Sequence, residues 1–159
     1  MKQLALVALA TAVSATSASA LEAHYSKQTT ATPDKAWAAV GNDFCGISTW
    51  HPAVEKCELT NKDGKTERML HLKGGGTIHE QLVSHDDKAR SMTYIILDGV
   101  LPVSNYKSTL KVVADDKGAT YDWAGTFDAK KGSTDDESVK AISGVYAAGV
   151  DALVEKSTK

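Results

Sequence analysis

The residues best suited to chemistry lie in GNDFCGISTWHPAVEKC, Gly41 to Cys57, where Trp50, His51 and Pro52 are adjacent and flanked by Cys45 and Cys57. His51 is the natural candidate for proton transfer, because an imidazole titrates nearest neutral pH. Nucleophilic catalysis has little support: no Ser or Cys forms a recognisable pair with it, and neither GxSxG nor HExxH occurs. A metal centre is weaker still, since the cysteines are not spaced as CxxC and no His-x-His occurs. No metal and no cofactor is therefore expected. Gly74-Gly75-Gly76 joins two strand patterns instead of opening a helix, so it reads as a turn and not as a phosphate cradle. Asp135-Asp136-Glu137 reads as helix capping, because a calcium loop needs ligands spread over a longer stretch.

The chain has 159 residues and a formal net charge of -2, with no dense basic cluster. That excludes the electrostatic footprint of a nucleic-acid binder or of a protein held on an anionic membrane. Lys2, the apolar run from Leu4 to Val13 and the small residues ending in Ala18-Ser19-Ala20 form a secretory signal peptide over residues 1–20. The run is well short of the roughly twenty residues of a spanning helix, so no membrane insertion is expected. Residues 21–159 then make one domain. Export favours a Cys45–Cys57 disulfide over two buried thiols.

Several elements must position these residues. A strand is predicted over His24–Thr30, followed by a short helix with Thr32 as N-cap and Pro33 at its first position, ended by Gly41. A second short turn or helix runs from Asp43 to Thr49. Between Ala53 and Lys130 the apolar pattern has period two and is broken by turn signals, which predicts six strands in an antiparallel meander. Thr134 to Glu137 opens a long amphipathic helix carrying Val139, Ile142, Tyr146, Val150 and Leu153 on one side, up to about Lys156. Gly144 and Gly149 lie inside it, each costing roughly 1 kcal/mol against alanine, so something nearby needs the room.

Alternation assigns Leu70, Leu72, Ile78, Leu82, Met92, Tyr94, Ile96, Tyr106, Ser108, Leu110, Tyr121, Trp123 and Phe127 to the interior face, together with two charged residues, Arg68 and Glu80. A turn centred on Gly74 puts Arg68 opposite Glu80 and Leu70 opposite Ile78. The pair either faces a cavity or sits solvated at the sheet's end. Tyr94, Tyr106, Tyr121 and Trp123 on the same face read singly as aromatic core and together as the wall of a partly polar cavity.

The order strand, two short helices, six-strand meander and long C-terminal helix resembles the helix-grip fold of the START and birch-pollen-allergen superfamily. More narrowly, the chain is similar to the bacterial polyketide cyclase/dehydratase-like (SRPBCC) family. The residues that carry the resemblance are Ala36-Trp37, Asp43-Phe44 with Gly46-Ile47, Trp50-His51-Pro52, Cys57-Glu58, Arg68, Gly75-Gly76 with Glu80, Thr93-Tyr94, Leu101-Pro102 with Tyr106, Trp123 and Gly144. The resemblance implies an α+β fold in which a seven-stranded antiparallel sheet wraps around the C-terminal helix, with a pocket between them. It places Trp50-His51-Pro52 and the Gly99–Pro102 loop at the mouth.

Three functions are compatible with this reading. The first is periplasmic binding of a small, largely hydrophobic molecule by Trp50, His51, Arg68, Glu80, Tyr94, Pro102, Tyr106 and Trp123. The second is a cyclase or dehydratase-like lyase that uses Glu80, Tyr94 and His51 as acid–base groups. The third is an accessory protein docking on a periplasmic enzyme, since exported relatives include accessory proteins of periplasmic alcohol dehydrogenation. Binding leads, because it asks only for a cavity.

Overall fold

The computed structural model describes residues 20–159, so the signal peptide expected over residues 1–20 lies, but for Ala20, outside the described residues. Strand β1 (Leu21–Thr29) begins three residues earlier than the alternation suggested, because Leu21 and Ala23 pair with Phe127 and Gly125. Helix α1 (Pro33–Val40) starts where Pro33 presets the first turn and the Thr32 hydroxyl accepts from the Lys35 amide. The second expected helix is a single 3-10 turn, Gly46–Thr49. It stays short because the Trp50 and His51 amides both close on the Ile47 carbonyl, which ends it.

The meander follows as β2 (Val54–Lys62), β3 (Lys65–Leu72), β4 (Thr77–Asp86), β5 (Ser91–Gly99), β6 (Val103–Asp115) and β7 (Gly118–Ala129). With β1 it forms one antiparallel sheet in the order β1-β7-β6-β5-β4-β3-β2. The chain ends in α2 (Asp135–Ser157), opened by a full capping box in which Thr134 and Glu137 satisfy each other's backbone amides. Ile142, Tyr146, Val150 and Leu153 of α2 are completely buried against the sheet's concave face. This is the helix-grip fold.

Register shifts bend the sheet around the helix. They occur in β2/β3 between Val54 and Lys56, in β4/β5 at His79/Glu80 and Leu82/Ser84, and in β6/β7 between Ser104 and Lys107. Each inserts a residue without a partner and increases the local twist. Asn105 takes a left-handed φ of 51° at the last of these, a conformation asparagine tolerates better than most side chains. The hairpin register is the one the alternation requires, Arg68 beside Glu80 and Leu70 beside Ile78. Cys45 and Cys57 form a disulfide that ties the segment before the 3-10 turn to β2.

Candidate functional site

The floor of the grip is a buried ion pair. Arg68 and Glu80 are 3 % and 4 % exposed, and Arg68 Nε donates to Glu80 Oε2 at 2.5 Å. A second guanidinium nitrogen donates to the Phe44 carbonyl. The guanidinium lies 3.9 Å from the centroid of the Phe44 ring and 5.0 Å from that of Tyr94, so its charge is held between two aromatic faces. The solvated alternative is thereby ruled out. Burial pushes the Glu80 carboxyl above the usual carboxylate range, while the charge and hydrogen bond of Arg68 pull against it.

Beside the pair runs a set of linked hydroxyls. Trp123 Nε1 donates to Ser108 Oγ at 2.8 Å and to the Tyr94 hydroxyl at 3.1 Å. Ser108 in turn donates to the Ala124 carbonyl, so it accepts from the Tyr146 hydroxyl at 3.1 Å, and Tyr106 donates to Tyr146 at 2.7 Å. Desolvation holds the Tyr94 and Tyr106 phenols far above their ordinary range and pushes Tyr146 up to about 12. All stay protonated at physiological pH. The Tyr146 hydroxyl fits because residue 125 is glycine: a Cβ there would sit 2.3 Å from it.

His51 is 5 % exposed, and both ring nitrogens are used by the backbone. Nε2 donates to the Val145 carbonyl at 3.1 Å, which fixes the tautomer, and Nδ1 accepts from the Ala53 amide at 3.2 Å. Burial lowers its pKa, with a further push from the Arg68 charge against the raising effect of the Val145 bond. The imidazole is neutral and has no lone pair left to take a substrate proton. Its edge and the rings of Trp50 and Trp123 crowd α2 at Gly149, where a Cβ would meet Trp123 at 2.6 Å and His51 at 2.8 Å. Close packing therefore accounts for Gly149, whereas a Cβ at the exposed Gly144 would touch nothing.

An internal cavity of about 60 Å³ lies between α2, the 3-10 turn and strands β2 to β7. Its walls are mainly Leu70, Leu72, Ile78, Ile96, Leu101, Ile142 and Val145, and His51, Glu80, Tyr94, Tyr106 and Trp123 complete them. Ala53 is exposed and Leu72, Leu101 and Val145 are half-buried, so the cavity reaches the surface between the segment after His51, the end of β3, the β5–β6 loop and α2. The cavity brings together five of the eight residues expected to meet a ligand and all three acid–base candidates.

Trp50, Arg68 and Pro102 stand apart from it. Trp50 turns inward after the 3-10 turn, where Nε1 donates to the Val40 carbonyl at 2.9 Å and its ring meets Trp123 edge-on at 5.9 Å. Arg68 is screened by Phe44 and Tyr94 and borders only a separate void of about 10 Å³, shared with Trp50, which is one water at most. Pro102 fastens the β5–β6 loop through its carbonyl, which accepts from Ser138 Oγ at 2.6 Å and the Lys130 amide at 3.0 Å. Pro52 points to solvent. Ser108 and Tyr146 were not singled out as site residues; their membership of the inward face was the signal. Among the described residues, no three His, Cys, Asp or Glu side chains gather to hold a metal ion.

A family model described as polyketide cyclase / dehydrase and lipid transport matches residues 20–158. No curated protein matches the chain. The fold is similar to that of XoxI from Bacillus cereus, at 29% identity and a TM-score of 0.80, covering 87% of this chain and 96% of that one. It is also similar to an uncharacterised protein from Bacillus thuringiensis, at 28% identity and TM-score 0.79 over 87% and 99% of the two chains. Zhui aromatase/cyclase from Streptomyces sp. R1128 shares the fold at 16% identity, with TM-score 0.74 over 88% and 94%.

Proposed function

The chain belongs to the polyketide cyclase / dehydrase and lipid transport family, and from that premise we propose that it binds a slender, largely hydrophobic molecule between sheet and helix. The observation that carries this reading is the apolar cavity itself, open at a half-buried rim of Leu72, Leu101 and Val145. A core built only for stability would close such a gap, since voids that exclude contacts cost packing energy. At about 60 Å³ the cavity is far below the roughly 300–1,000 Å³ of sites for drug-sized ligands. It suits the width of an alkyl chain, and rotation of the rim side chains widens it for anything broader.

Binding is favoured over cyclase-like catalysis because two of the three acid–base candidates are already engaged. His51 is bound at both nitrogens, and Glu80 is bound to Arg68. The periplasm is the proposed compartment: the Cys45–Cys57 bond suits an oxidising environment. Titrating the protein with 1-alkanols from hexanol to dodecanol, followed by tryptophan fluorescence and thermal shift, tests the reading. Affinity should rise with chain length and fall in Val145→Trp, which fills the rim. No dependence on chain length, or an unchanged response in that variant, refutes it.

A further inference from the structure

The sheet is not continuous between β5 and β6. Their pairing ends at Ile95 and Lys107, although β5 runs on to Gly99 and β6 starts at Val103. The cause is visible on both sides. Leu97 has no partner at the shift in β4/β5, and Asn105 interrupts β6/β7, so both neighbouring ladders lead their strands apart at the same level. The result is a cleft of about 540 Å³ between the end of β5 and the start of β6, lined by residues of both strands and by Lys130.

Ile96 and Tyr106 line both this cleft and the internal cavity. Those two side chains are thus the partition between them. Leu97 stands in the cleft wall 44 % exposed, which gives the outer part an apolar surface. Two ammonium groups flank it. Lys107 makes no ion pair among the described residues, and Lys130 spans the cleft, with Nζ donating to the Gly99 carbonyl at 3.0 Å and lying 3.9 Å from Asp98. Asp98 is the one carboxylate against these two cations in the lining. The cleft is therefore positive at its edge, apolar at its wall and separated from an apolar void by one aliphatic and one aromatic side chain.

We propose that this cleft is a lateral binding site for an amphipathic monocarboxylate, whose carboxylate sits on Lys107 and Lys130 while its alkyl chain passes between Ile96 and Tyr106 into the cavity. The proposal rests on the binding reading above and adds the charge of the ligand and its route. A carboxylate gains from an ammonium that has no competing partner, and it can displace the weak Lys130–Asp98 contact. A chain one methylene wide is what the partition admits when Ile96 changes rotamer. A cationic or multiply branched molecule fits neither feature.

The test uses 12-bromododecanoate and 12-bromododecanol as quenchers of tryptophan fluorescence, since bromine reports contact with the Trp50–Trp123 cluster beside the cavity. The whole chain is compared with Lys107→Glu, an exposed position whose side chain makes no hydrogen bond among the described residues. The acid should quench the unmodified protein and bind Lys107→Glu at least about ten-fold more weakly, from loss of a charge-assisted contact, while the alcohol binds both alike. Equal acid affinity in the two proteins overturns the lateral site and leaves the cavity reading standing. Quenching by the alcohol but not by the acid does the same. Quenching by neither overturns both.

Discussion

Replacing Arg68 with methionine, close in length but uncharged, isolates the work of the buried pair. The substitution leaves Glu80 at 4 % exposure with no counter-ion and the Phe44 carbonyl without its donor. An uncompensated buried charge costs about 3–5 kcal/mol, and an orphaned buried acceptor about 1–3 kcal/mol. Glu80 can lower the first cost by taking a proton. Burial already raises its pKa in the native protein, and Arg68 supplies the two largest opposing effects, so removing Arg68 raises it further. The folded state then holds a proton that the unfolded chain releases above the ordinary carboxylate range. Across that window the native state binds more protons, so stability falls as pH rises, by up to about 1.36 kcal/mol per pH unit, and is fully retained only below the unfolded pKa. Urea denaturation at pH 5 and pH 8 should therefore show Arg68→Met less destabilised at pH 5. Adding Glu80→Leu should recover most of the loss and remove the extra slope, because a buried pair replaced by apolar side chains is often nearly neutral. An Arg68→Met variant that loses the same stability at both pH values, with no recovery in the double variant, would refute this account of the grip.

The two glycines of α2 should behave oppositely in thermal denaturation. Gly144→Ala meets open space and should stabilise by about 1 kcal/mol, whereas Gly149→Ala gains the same helix propensity but drives a methyl into Trp123 and His51, for a net loss of about 1–2 kcal/mol. Two gains would mean that the aromatic cluster around Gly149 is loose. His51 should be neutral in the Nε2–H form at pH 7 by nitrogen NMR of the imidazole. Its folded pKa lies below the unfolded one, so its contribution to stability is present above the unfolded pKa and is lost as pH falls through the folded value. A charged ring at pH 7 would return His51 to the list of usable acids.

Much of this architecture was legible because strand alternation and a three-to-four-residue helical period report directly on burial. Fixing the β3/β4 turn on Gly74 was enough to place Arg68 against Glu80, since a slip of one residue would have put the two on opposite faces of the sheet. The site was legible only in part. Whether Trp50 or His51 faces the cavity depends on where the 3-10 turn stops, and two amide bonds to one carbonyl decide that. Nothing in the residue types around Leu97 announces a bulge, and Asn105 gives only the weak signal of a side chain that accepts a left-handed backbone. The hydroxyl set joins β5, β6, β7 and α2, so its members are visible one by one in the pattern, but their meeting is a property of the curvature. Cavity size follows from the same curvature, and for that reason a polar-lined interior suggested by Arg68 and the tyrosines became instead an ion pair sealed by rings, with an apolar void beside it.

The strand order also governs when the protein can assemble. β1 and β2 are close in sequence yet lie at opposite edges of the sheet, and among the described residues β1 pairs only with β7, Leu21 beside Phe127. The first strand to be made must therefore wait for nearly the last. The meander from β2 to β7 can zip up from local hairpins, but β1 and the surface that receives α2 stay unsatisfied until the C-terminal third of the chain arrives. Long-range closure of this kind carries a loop-entropy cost before any contact offsets it, which slows folding. Under the export proposed above, late closure would be an advantage: the sequence elements that travel first cannot lock into the finished grip before the rest has followed.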